Sequence, residues 1–256
     1  MRFSVLVCSL VGVASAAPTF PDFNLKSILN PDNTLEALSD YFNTLATRVQ
    51  LAKVLADPPT CDVSKAKIPT APEPLPSPSE GLTVSHVFVG RGTQNYTCGE
   101  DPSEAPKAAG ALAQLFDVGC IAALYPDLLE RLPSMAVRFN STELGASPLT
   151  STGIHYFTDA TTPYFDLGGE EVHCKKTDDT AAPSTAAVGQ KGEKAVAWLK
   201  LDAVPGDSSR IREVYRVDTA GGSPPATCEG MGKTFEVQYA TSYWFFDGDE
   251  VDKDSE

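Results

Sequence analysis

The chain has no apolar run long enough to cross a bilayer as a helix, no closely spaced cysteine pair and a shortage of basic charge. Lys plus Arg number 20 against 34 Asp plus Glu, a net charge of −14 over 256 residues. A membrane-spanning helix needs about 20 consecutive apolar residues, so the sequence predicts no membrane partner. An acidic surface repels phosphate backbones and anionic lipid, which argues against nucleic acid. Without a CxxC spacing a structural zinc site is disfavoured. Neither a G-x-S-x-G elbow nor an H-E-x-x-H helix is present, and histidine is limited to three residues, His86, His155 and His173.

What is present points to export. Arg2 precedes the apolar stretch Phe3 to Val13, and Ala14-Ser15-Ala16 has the small-residue pattern of a cleavage site. We therefore expect residues 1–16 to be a signal peptide and the mature protein to be secreted and extracellular. Cys8 would leave with it, so Cys61, Cys98, Cys120, Cys174 and Cys228 are the disulfide candidates. An oxidising compartment favours pairing. Five is odd, so at least one thiol is left over, and spacing does not choose the pairs. Asn95-Tyr96-Thr97 and Asn140-Ser141-Thr142 are acceptor sequons, making Asn95 and Asn140 expected glycosylation sites.

The expected fold class is mainly β, an antiparallel β-sandwich or barrel with a short helical N-terminal segment and a few covering helices. Lys233 to Phe246 carries the clearest signal. Phe235, Val237, Tyr239, Thr241, Tyr243 and Phe245 occupy one parity, and Thr234, Glu236, Gln238, Ala240 and Ser242 the other. This is the period of a half-buried strand. Further strands are predicted at Leu82 to Val89, Thr93 to Cys98, Gly153 to Thr158, Tyr164 to Leu167, Glu171 to Lys175, Ala195 to Leu201 and Arg210 to Thr219. Gly90-Arg91-Gly92 reads as the turn of a hairpin. Helical spacing is read at Asp32 to Leu55, within an N-terminal segment 17–67, and at Pro106 to Phe116. A further helical run, Cys120 to Leu132, is interrupted at Pro126. Five prolines within Ile68 to Ser79 predict a semi-rigid linker over 68–80. The β-domain is expected over 81–246, with an exposed loop from Thr177 to Gly192 and an acidic, disordered tail over 247–256.

Chemistry is harder to find. Gly90-Arg91-Gly92-Thr93-Gln94-Asn95 begins like a dinucleotide fingerprint, but Asn95 stands where the third glycine belongs, and a strand follows in place of the helix that would hold pyrophosphate. Gly230-Met231-Gly232-Lys233-Thr234 resembles the end of a phosphate loop but has Thr227 at the first-glycine position. No cofactor is expected. If their strands converge, His86, His155 and His173 are candidate metal ligands, and with Glu171 they are candidate acid–base groups. The alternative leaves His86 a hydrogen-bonded core residue and the other two on the surface. Tyr156, Phe157, Tyr164, Phe165, Tyr239, Tyr243, Trp244 and Phe245 lie on the late strands. Exposed members of that set can stack on sugar rings or on a peptide, whereas buried ones are core.

Several segments together resemble a family of secreted fungal and bacterial proteins without an established biochemical function. They are Gly92-Thr93-Gln94-Asn95-Tyr96-Thr97-Cys98, His155-Tyr156, Ala197-Trp198-Leu199-Lys200-Leu201, Arg216-Val217-Asp218-Thr219-Ala220-Gly221-Gly222, Pro225-Ala226-Thr227-Cys228 and Tyr239-Ala240-Thr241-Ser242-Tyr243-Trp244-Phe245. Fungal members often bear a malate dehydrogenase label, which the incomplete fingerprint does not support. The resemblance supplies no catalytic residues. The expected function is binding or interaction at a cell wall or host interface, with a cell-wall glycan or an extracellular protein as partner. The alternative is an extracellular hydrolase using His and carboxylate groups, with or without a metal. Binding predicts exposed aromatics on a groove; hydrolysis predicts two of the histidines beside a carboxylate in a cleft.

Overall fold

The computed structural model describes residues 61–139, 152–159 and 161–248. The expected signal peptide, the helix at 32–55, Asn140 and the last eight residues of the acidic tail lie outside them. Eight strands form a closed barrel in which each strand pairs with its neighbours in sequence and β8 returns to β1. They are β1 (Thr83–Thr97), β2 (Lys107–Asp117), β3 (Gly153–Phe157), β4 (Pro163–Asp166), β5 (Glu171–Thr180), β6 (Trp198–Ala203), β7 (Ile211–Gly221) and β8 (Thr234–Asp247). Every pairing is antiparallel. Closure leaves no free sheet edge to template association.

Three expectations are corrected. The predicted hairpin around Gly90-Arg91-Gly92 is a single 15-residue strand, β1. Its glycines serve close approach, not a turn: a Cβ at Gly90 would lie 2.6 Å from the Tyr243 ring, and one at Gly92 would overlap the Leu112 carbonyl of β2. The alanine-rich stretch predicted as a helix is strand β2, whose inward residues Ala111, Ala113 and Leu115 are buried while Leu112 and Gln114 are exposed. Alanine has the highest helix propensity, but propensity is a small term, and tertiary context overrides it where a small inward side chain must fit beside Tyr239. β5 also runs further than expected, to Thr180, into the segment read as a loop.

The helical run after Cys120 is present in three short pieces, α1 (Gly119–Leu124), α2 (Pro126–Leu129) and α3 (Leu132–Ala136), two of them opened by a proline in the first turn. Val137, after α3, packs on Ala220 and Ala240 on the outside of β7 and β8. Arg91 anchors this cover. It is 1% exposed, and its Nε donates to the carbonyls of Ala136 (2.9 Å) and Phe139 (3.1 Å). Nη1 donates to Gly92 (2.7 Å) and Tyr239 (3.2 Å), and Nη2 to Phe139 (2.6 Å). Burial lowers its pKa to about 10. The carbonyls at the end of the helical run thus find the donors that helix termini need.

Two disulfides staple the barrel. Cys61–Cys120 joins the 3-10 turn Val63–Lys65 to α1, and Cys98–Cys228 joins the end of β1 to the β7–β8 connection. Cys174 is the leftover thiol, buried on β5, and burial pushes its pKa up. The proline-rich stretch lies along the wall. Tyr215 donates its hydroxyl to the Pro76 carbonyl at 2.9 Å, and Ser79 Oγ donates to Glu213 at 2.6 Å. Glu213 itself pairs with Lys200 at 3.0 Å.

Candidate functional site

The three histidines occupy different environments. His155 is inside the barrel, 3% exposed, stacked on Phe165 at 4.2 Å, with Nδ1 2.9 Å from the Tyr164 carbonyl. Burial lowers its pKa to about 4, with Arg216 adding to the effect and the Tyr164 carbonyl opposing it. His173 pairs in register with Tyr164, whereas His155 pairs with Phe165. Because successive strand residues alternate sides, His155 and His173 stand on opposite faces of the wall. His173 Nδ1 lies 3.2 Å from Asp207, which also accepts the His173 backbone N–H at 2.9 Å. Burial works to raise the Asp207 pKa, but the hydrogen bonds from His173 and Ser209 outweigh it and the carboxyl is held low. His86 is half-buried beside Ser85 and Phe88. Glu171 is exposed at the start of β5 and acts to raise the pKa of Tyr164, after burial. No three His, Cys, Asp or Glu side chains gather as metal ligands among the described residues. Asn95 is half-buried on β1 and accepts the Thr93 hydroxyl at 3.2 Å.

The barrel interior is apolar at one end and polar toward the other. Phe88, Leu115, Phe165, Val172, Cys174, Leu201, Val214 and Phe245 pack as one cluster that Tyr243 caps. Beyond it the Tyr239 and Tyr243 hydroxyls are 3.0 Å apart. Burial raises both pKa values, while the Arg216 guanidinium pulls both down. Arg216 Nη2 donates to the Ala197 carbonyl at 2.9 Å.

Outside, β2, β3 and β4 expose an apolar and aromatic stripe. Leu112 and Tyr156 face each other across the β2–β3 ladder, and Ile154 lies two residues along β3 on the same face. Their exposures are 50%, 37% and 37%. The stripe continues inward, with Tyr156 and Tyr164 ring centroids 4.8 Å apart and Tyr164 and His173 4.7 Å apart. Cross-strand neighbours at this spacing form one continuous surface. Tyr156 and Tyr164 were among the aromatics singled out in the sequence. Leu112 and Ile154 were not, although an apolar residue at the outward parity of a strand is the signal that marks them.

A cleft of about 290 Å³ lies over the outer face of β7, walled by α2–α3, the 183–187 segment, Trp198 and Asp218. The β7–β8 register shifts between Val217 and Ala220, so β7 carries a bulge there. Within it Asp218 has φ +50°, the one non-glycine positive φ among the described residues. Ser242 donates to the Asp218 carboxyl at 3.2 Å and accepts the Trp244 indole N–H at 3.2 Å. Burial raises the Asp218 pKa to about 7, against the Ser242 hydrogen bond and with a contribution from Glu130. Sequence reasoning did not select Asp218, since a bulge leaves no periodic trace in Arg216-Val217-Asp218-Thr219.

Comparison with curated proteins and with solved structures finds no match. Residues 78–247 match the family described as Protein of unknown function (DUF3455). That span runs from the proline-rich stretch to the end of β8, and the chain belongs to this family.

Proposed function

We propose that the protein is an exported binding protein for neutral cell-wall polysaccharide, and that the outer face of β2, β3 and β4 is its contact surface. The observation that carries this reading is the exposed stripe of Leu112, Ile154 and Tyr156, backed by the Tyr164 and His173 rings. A solvent-facing tyrosine ring offers an apolar face for the C–H side of a pyranose and a hydroxyl for its rim. Glu171 and Asp166 flank the stripe on the β4–β5 ladder and provide acceptors for sugar hydroxyls. A net charge of −14 disfavours polyanionic partners and leaves neutral polymers unpenalised. Two disulfides, and no helix among the described residues long and apolar enough to span a membrane, fit an extracellular or soluble protein. The hydrolase alternative is less well supported, because it requires two histidines beside a carboxylate, whereas His155 and His173 face opposite sides of the wall.

The test is retention on insoluble glucan and chitin. Wild-type protein is expected to partition with at least one of them and Tyr156→Ala to be retained at least tenfold less. Wild-type protein that stays in solution with every polymer overturns the proposal.

A further inference from the structure

We infer that the cleft over the β7 bulge is a second ligand site, shaped for one neutral sugar ring or a similarly small polyol. It shares a ligand class with the proposed function but uses different residues and stands on different observations.

The first observation is size and lining. At about 290 Å³ the cleft is at the small end of ligand pockets. Pro183 and Ala187 give it apolar walls, Thr185 brings a hydroxyl that can donate or accept, and Ser134, whose hydroxyl donates to the Arg131 carbonyl at 2.8 Å, brings an acceptor. Glu130 and Arg131 line it as neighbours of opposite charge, both exposed, an arrangement that favours no net charge on the occupant.

The second observation is an aromatic wall. Trp198 is 4% exposed and lines the cleft. Its indole nitrogen is sealed from solvent, so the ring gives the cleft an apolar side and an internal fluorophore and supplies no donor to an occupant.

The third is backbone strain. A β-carbon at positive φ costs about 1 kcal/mol or more, a cost glycine avoids. Gly221 and Gly222 adopt positive φ just beyond the bulge, yet position 218 keeps an aspartate. Its carboxyl accepts from Ser242 and has lone pairs left for a ligand hydroxyl. Raised toward neutrality by burial, the group can also donate in acid, which suits a hydroxyl partner in either state.

The chain has two tryptophans, so Trp244→Phe leaves Trp198 as the sole indole reporter. Glucose, mannose, N-acetylglucosamine and glycerol are titrated into that protein by fluorescence, and into wild type by calorimetry. A saturable response to at least one is expected. Calorimetry on Asp218→Gly should show binding at least tenfold weaker, and Ala187→Phe, which fills the cleft, should abolish it. Asp218→Gly suits the positive φ and so keeps the fold, as circular dichroism checks. No saturable response to any probe, or affinities unchanged within twofold in Asp218→Gly and Ala187→Phe, overturns the assignment. Retention on polysaccharide separates the two sites. Asp218→Gly should still be retained, and Tyr156→Ala should still bind the small probe.

Discussion

Replacing Asp218 by Asn should stabilise the protein at pH 8 and leave it nearly unchanged at pH 4. The carboxyl has a pKa of about 7 in the folded protein against an ordinary 3.8. Folding therefore favours its protonated form. The stabilising preference is fully present below the unfolded value, declines as pH rises between about 4 and 7, and is gone above the folded value. At about 1.4 kcal/mol per pKa unit the full difference is roughly 4 kcal/mol. Solvent reaching the cleft reduces that, so about 2–4 kcal/mol is expected at pH 8. Asparagine tolerates positive φ as aspartate does and still accepts from Ser242, so charge is the only large change. The charged neighbours are Glu130, which adds to the shift, and Arg131, which lines the same cleft. Urea unfolding at the two pH values reads the outcome. The midpoint should rise in the variant at pH 8, with the two proteins within about 1 kcal/mol at pH 4. Equal stability at pH 8, or the same difference at both pH values, would refute the reasoning.

Two other outcomes follow from the fold. Arg91→Met should destabilise by roughly 3–5 kcal/mol in chemical denaturation, because it strands the carbonyls of Ala136, Phe139, Gly92 and Tyr239 with no replacement donor; a loss below about 1 kcal/mol would contradict the anchoring role. In protein lacking residues 1–16, and so Cys8, Cys174 should resist a thiol reagent in the native state and titrate as one thiol after unfolding without reductant, since the other four cysteines of the barrel domain are paired. Rapid native labelling would contradict its burial.

The mainly β fold was legible because β8 keeps a two-residue period along its length and β7 keeps one between its bulges. What escaped was the continuity of β1 and the strand character of β2. The middle of β1 is covered on both faces, by the barrel core on one side and by the helical cover that Arg91 holds on the other, so no polar parity marks it there. Its glycines look like turn residues, and only the position of Tyr243 and Leu112 explains them. In β2 the alternation of Ala111, Ala113 and Leu115 with Leu112 and Gln114 was present but masked by alanine and by the apolar Leu112 facing out. That outward leucine was itself the trace of the proposed contact face. The cleft left less to read, because Asp218, Trp198 and Glu130 are far apart in sequence and meet only through a bulge and a helix end. The histidines misled in the opposite way. They look alike in sequence, and strand parity decides that one is core and another is surface.

The most direct test of the binding account is amide hydrogen exchange with and without a soluble oligosaccharide of whichever polymer retains the protein. We predict added protection concentrated in β2, β3 and β4 around Leu112, Ile154 and Tyr156 at saturating ligand, and its loss in a Leu112→Asp, Tyr156→Ala double variant that remains folded. Protection confined to other strands, or none at saturation, would contradict the claim that this wall is the contact surface.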